Sequence, residues 1–185
     1  MMFMYLKHSY LVLICIFIVS LLYACAGTQG THSVLKELDE HIVLKNYNTL
    51  NLIVQGSSNV SITDEVKNRI TNLIIDKLKA DEYNHFREFN TANIGSVNAI
   101  DVEVIINNYE KGNAFARAML AGLGQIHIDA NVMIKNSVTK ELLTEHEVSK
   151  AFAWGGIYGG ATTIEDVEEG FAKGVAAVIL EKADE

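Results

Sequence analysis

The sequence predicts an α+β protein, a two-layer α/β sandwich whose mostly antiparallel sheet of about 4–5 strands carries two helices on one face. Three observations lead there. Two stretches alternate apolar and polar residues with period two. Two others repeat apolar residues at helical spacing. Clean alternation leaves one sheet face wet and the other covered, which favours antiparallel pairing with the helices as cover.

Taken in order, Leu50-Asn-Leu-Ile-Val-Gln55 reads as a strand ended by Gly56-Ser-Ser. Residues 34–47 before it fit a strand or a helix. Thr63 is placed to cap a helix, with Asp64 and Glu65 in its first turn and Val66, Ile70, Leu73, Ile74 and Leu78 along one face. Residues 83–89 fit a short strand. The best alternation follows, Ile100, Val102, Val104 and Ile106 against Asp101 and Glu103. A second strand sets Ile126, Ile128, Ala130, Val132 and Ile134 against His127, Asp129, Asn131 and Lys135, and Asn136–Lys140 turns it into Glu141–Lys150. Pairing Lys135 with Glu141 keeps the faces unmixed; it sets Ala130 by His146 and Asp129 opposite Glu147. The last helix starts at Thr162 or Thr163. Thr162-x-x-Glu165 fits a capping box, and Ile164, Val167, Phe171, Val175 and Val178 form the buried stripe.

The 185 residues suit one domain with short appendages. There is no proline, so turns rest on Gly, Asn and Ser. All 23 acids follow Cys25 while one of the 15 bases, Lys7, precedes it. That acidic balance argues against a nucleic-acid partner, which is gripped through clustered Lys and Arg.

Lys7 leads an uncharged apolar run, Leu11–Leu22, that ends in Leu22-Tyr-Ala-Cys25. A positive start, a short apolar stretch and small residues make a signal-peptide pattern. The run falls short of the ~20 residues of a spanning helix, which favours a removed signal over an uncleaved anchor. Its end resembles the lipobox of bacterial lipoproteins. That resemblance implies lipid attachment at Cys25, cleavage after Ala24 and acylation of the new amino group. The chain then divides into a signal at 1–24, a lipidated cysteine and tether at 25–33, and a single α/β domain at 34–185. The expected address is the cell envelope; Ala26 after the cysteine resembles outer-membrane sorting, facing the periplasm in a Gram-negative cell. Cys15 falls in the signal, so the domain has no second thiol for a disulfide or a CxxC site.

Three features are candidates for chemistry. Asp101, Glu103, Asp129, Glu145 and Glu147, with His127, crowd one sheet face, where opposed like charges invite a cation or a basic partner; a hydrated face without a ligand is the plainer reading. His146, on the inner side, reads as a packed core histidine. Gly155–Thr163 lies before a helix but lacks GK[ST], and Glu165, Asp166, Glu168 and Glu169 repel an anion there. No GxSxG elbow occurs. Gly170-x-x-x-Gly174 fits close helix packing. The third feature is a pair of apolar loops, Ala114–Gly124 and Ala151–Tyr158, which emerge at one end of the sheet if the strands run up, down and up. They gather Phe115, Arg117, Met119, Leu120, Phe152, Trp154, Ile157 and Tyr158. They form either a small core closing the sandwich or an exposed patch for a protein, a glycan or a bilayer. The candidate interaction residues are Phe115, Arg117, Phe152, Trp154 and Tyr158.

From Asn107 to about Leu180 the chain resembles the bacterial lipoproteins grouped as domain of unknown function 4410. The shared pattern is a strand, Gly112-Asn-Ala-Phe-Ala-Arg117, the small residues Ala121-Gly-Leu-Gly124, then strand, turn, strand, Gly-rich loop and helix. The usual Asp-x-x-Thr-Gly turn is replaced by one with Asn136 and Lys140 at its ends. The resemblance implies an envelope lipoprotein with an α/β sandwich and brings no catalytic residues. The expectation is a non-enzymatic binding or assembly module, anchored in a membrane through its lipid, with an envelope protein as partner and no cofactor. A small-ligand or divalent-metal-binding periplasmic module is the alternative.

Overall fold

The computed structural model describes residues 29–92, 94–120 and 123–181. Cys25 and the signal segment lie outside them. Six strands form one mixed sheet: β1 (Thr31–Lys36), β2 (Thr49–Gly56), β3 (Glu88–Asn90), β4 (Ala99–Glu110), β5 (Ile126–Asn136) and β6 (Leu142–Phe152), in the order β1-β6-β5-β4-β2-β3. The helices are α1 (Asp64–Ala80), α2 (Ala114–Met119), α3 (Gly156–Ala161) and α4 (Ile164–Ile179).

The α+β class stands, but the sheet is neither mostly antiparallel nor limited to five strands. Strands β4, β5, β6 and β1 pair antiparallel, whereas β2 runs parallel to both β4 and β3. The cause is α1, which carries the chain from the end of β2 back to its starting end, the connection a parallel pair requires. The sixth strand is β1, which takes Thr31–Ser33 from the expected tether. It is an edge strand with five of its six residues exposed, so no burial pattern marks it.

Alternation is otherwise obeyed. Ile100, Val102, Val104 and Ile106 of β4 and Ile126, Ile128, Ala130, Val132 and Ile134 of β5 are fully buried. Over them lie α1 and α4, packed on each other, with α1 against β2 and α4 against β5 and β6. Each buried Val, Leu, Ile or Phe contributes about 1.5–3 kcal/mol by leaving water. Helix α1 is capped by the Thr63 hydroxyl, which accepts from Val66 N–H at 3.3 Å. Helix α4 is capped one residue later than expected: Asp166 Oδ2 accepts from Thr163 N–H at 2.8 Å, while the Thr162 hydroxyl donates to Tyr158.

The β5–β6 register also departs from expectation. Ala130 faces Val148, Val132 faces His146 and Asp129 faces Ser149. The turn closes Asn136 on Glu141 instead of Lys135 on Glu141, and a bulge after Leu142 adds one more residue to β6. Two single steps add to two, so every side chain keeps its face.

The chain enters beneath α4. Gly30 N–H donates to Gly170 carbonyl at 2.8 Å, and a Cβ on Gly174 would meet the Gly30 carbonyl at 2.9 Å. The Gly170–Gly174 pair thus lets the helix lie directly on the entering strand.

Candidate functional site

The β4–β5 and β6–α4 connections do emerge together, and each contains a short helix where a loop was expected. Asn113 caps α2, its side-chain oxygen accepting from Ala116 N–H at 2.9 Å. Glycines in α3 bring its backbone close to its neighbours. A Cβ on Gly159 would sit 1.9 Å from Trp154 carbonyl, and one on Gly160 would sit 3.1 Å from Ala118 Cβ on α2. Small residues here serve packing, not phosphate.

Arg117 holds the two connections to each other. It is 2% exposed, and its guanidinium donates to the carbonyls of Gly159 at 2.8 Å, Gly124 at 2.7 Å and Thr162 at 2.8 Å. Burial lowers its pKa, yet arginine stays charged in proteins. Arg117 is therefore a buried clamp and not the surface charge of a contact patch, which corrects its expected role. Phe152 is corrected likewise: it is buried, with Tyr158 half-buried edge-on against it at 5.6 Å and Trp154 edge-on to Tyr158 at 6.2 Å.

The rest faces solvent. Ile157 is 94% exposed, Phe115 72% and Trp154 51%, and Met119, Leu120 and Leu123 are exposed as well. Of the five candidate residues, Phe115 and Trp154 lie on this surface, while Arg117, Phe152 and Tyr158 support it from below. The small core and the exposed patch are thus two sides of one structure. Leu123 was missed because it sits among glycines with no periodic neighbour.

The acidic sheet face resolves differently. With Asp129 opposite Ser149, the expected clash with Glu147 does not arise. Asp101 pairs with Lys140 at 2.6 Å, Glu103 with Lys135 at 2.7 Å and Asp129 with His127 at 2.9 Å; Glu145 accepts from Asn131 at 3.0 Å. Asp101 is almost wholly buried. Burial alone would raise its pKa, but hydrogen bonds from Asn51, Lys140 and Ser137 hold it below the usual carboxylate value. Among the described residues no group of three or more His, Cys, Asp or Glu is arranged to hold a metal ion.

His146 is not enclosed in the core. It lies opposite Val34 on β1 and beside His32, ring centroids 6.0 Å apart, in the wall of a cleft of about 400 Å³ at the sheet edge. The Thr144 hydroxyl donates to Lys36 carbonyl at 2.7 Å, so it must accept from His146 Nε2 at 3.0 Å. That fixes the neutral tautomer with its proton on Nε2, and His146 Nδ1 is buried without a hydrogen-bond partner. Burial, and then the neighbouring His32, lower its pKa.

An α+β domain with a six-stranded mixed sheet, two covering helices and an apolar end is the class defined here. The chain belongs to the family described as domain of unknown function (DUF4410), whose model matches residues 36–156. The match starts earlier than the Asn107–Leu180 pattern and stops before α4. No protein of curated function matches the chain. Among solved structures, the fold is similar to the PelC dodecamer from Paraburkholderia phytofirmans, with TM-score 0.52 and 7% identity over 83% of this chain and 100% of that one. A single-substitution variant of that dodecamer gives TM-score 0.53 at 6% identity with the same coverage. At such identity the likeness concerns the fold alone.

Proposed function

We propose that this chain is a membrane-anchored envelope lipoprotein whose domain works as a non-enzymatic binding or assembly module, with the apolar end of its sheet as a contact surface. The observation that carries this reading is the set of exposed Phe115, Met119, Leu120, Leu123, Trp154 and Ile157 within and beside the two short helices pinned by Arg117. Large apolar side chains exposed together at one end of a domain mark a surface that something covers. The lipobox at Leu22–Cys25 supports the anchor, and Ala26 supports the outer membrane. The shared fold with a protein solved as a dodecamer is in keeping with assembly. Against the divalent-metal alternative, Asp101, Glu103, Asp129 and Glu145 of the sheet face are engaged by Lys140, Lys135, His127 and Asn131.

Crosslinking pull-down from membranes, with Cys25→Ser as the control, tests this reading. A partner recovered by the lipidated chain and lost from that control supports it. Intact mass showing a bare thiol on residue 25, or turnover of substrate by the purified chain, refutes it.

A further inference from the structure

Thr31, the first residue of β1, lies opposite Ser149, three residues before the end of β6, and β6 runs on into α3. The start of β5 faces that same end, Ile126 opposite Phe152, and α2 leads into it. The chain therefore enters the domain at the end of the sheet that carries the apolar patch. From Cys25 to Gln29 is four residues, which span at most about 15 Å. We infer that the patch on α2 and α3 docks into the lipid bilayer beside the anchor, so that the domain stands on the membrane by its sheet end. This inference rests on the lipidation of Cys25 proposed above.

Three observations favour lipid over a second protein. The six exposed apolar side chains lie within or beside two short helices, a surface well short of the roughly 20–30 residues a side that stable protein interfaces use. Between Asn113 and Gly124 and between Ala151 and Thr163 the sequence carries one charge, Arg117, and its donors are turned inward onto three carbonyls. Trp154 is half exposed beside Tyr158, an amphipathic aromatic pair of the kind enriched at membrane–water boundaries.

Trp154 is the only tryptophan in the chain, so its emission reports on this end alone. The lipidated protein, beginning at Cys25, is placed in phosphatidylethanolamine–phosphatidylglycerol vesicles, with and without brominated acyl chains. Docking predicts a blue shift relative to the lipid-free domain released by proteolysis of the tether, and quenching by the brominated lipid. An Ile157→Asp, Phe115→Ser double variant changes only exposed positions; it should co-sediment with vesicles but lose both signals, with an unchanged circular dichroism spectrum. Anchored protein whose Trp154 is neither shifted nor quenched overturns the docking and leaves the lipoprotein reading intact. Trp154 shielded by a crosslinked second copy or another protein also overturns it. An unmodified Cys25 on protein that stays in the supernatant overturns both.

Discussion

Arg69 on α1 and Glu168 on α4 form a two-point ion pair, Nε to Oε2 at 2.6 Å and Nη2 to Oε1 at 2.9 Å, around a carboxylate with no exposed surface. Tyr109 of β4 adds its hydroxyl to the same Oε1 at 2.5 Å. One buried anion thus ties both covering helices to the sheet. The hydrogen bond from Arg69 holds that guanidinium protonated more firmly than usual, and burial, reinforced by Glu168, pushes the Tyr109 phenol up.

Removing the anion strands two partners. Glu168→Ala should destabilise the fold by about 3–5 kcal/mol, the range for breaking a buried pair. Arg69 is 28% exposed and can still reach water, so the low end is expected. Glu168→Gln keeps an acceptor for Tyr109 and should cost less. Urea denaturation at neutral pH ranks the three proteins.

Arg117→Ala should free the apolar end without dissolving the sheet. Three carbonyls lose a charged donor, at roughly 1–3 kcal/mol for each that water does not reach. Arg117→Lys should rescue little, since one ammonium cannot reproduce a fork that serves three carbonyls. Hydrogen exchange should rise in residues 112–120 and 153–163 while β4 and β5 stay protected.

Acid should weaken the protein first through His146. Its folded pKa lies below the unfolded value near 6.5, so the unfolded chain binds more protons between the two. The stability gained from keeping His146 neutral is complete above about pH 6.5 and is lost as pH falls below it. Asp101, whose folded pKa is depressed, acts in the same direction but only near and below the usual carboxylate value of about 3.9. His146→Gln should flatten the melting temperature between pH 7.5 and 5 and leave the lower acid transition in place.

Gly159→Ala should displace α3. The new methyl meets the Trp154 carbonyl, a backbone atom that cannot swing aside, at a cost of about 1–3 kcal/mol. Trp154 emission should change even where the melting temperature moves little. An unchanged spectrum would show that α3 does not depend on this close approach.

Residues with one buried face were readable from sequence. Strands β4 and β5, helix α1 and helix α4 announce themselves because burial imposes a period on their side chains. Strand β1 does not, since an exposed edge leaves its residues free of that constraint. Helices α2 and α3 also escaped. Their glycines and alanines satisfy contacts between backbones, and such contacts leave no apolar rhythm. The loops were correctly gathered at one end, but Arg117 looked like surface charge because its partners are carbonyls, which sequence does not display. The hairpin register missed by two through a turn and a bulge, and that shift removed the opposition of Asp129 and Glu147 on which a cation site depended. His146 looked enclosed because the strand that borders its cleft was itself unseen.

The seating of Gly30 beneath Gly170 has a mechanical consequence. A pull on the chain ahead of Gly30, directed along β1 and away from the sheet end, loads the β1–β6 hydrogen bonds side by side in shear instead of opening them one after another like a zipper. Force applied at that point is thereby shared by a whole strand and the helix above it, and the domain resists unravelling from its entering strand.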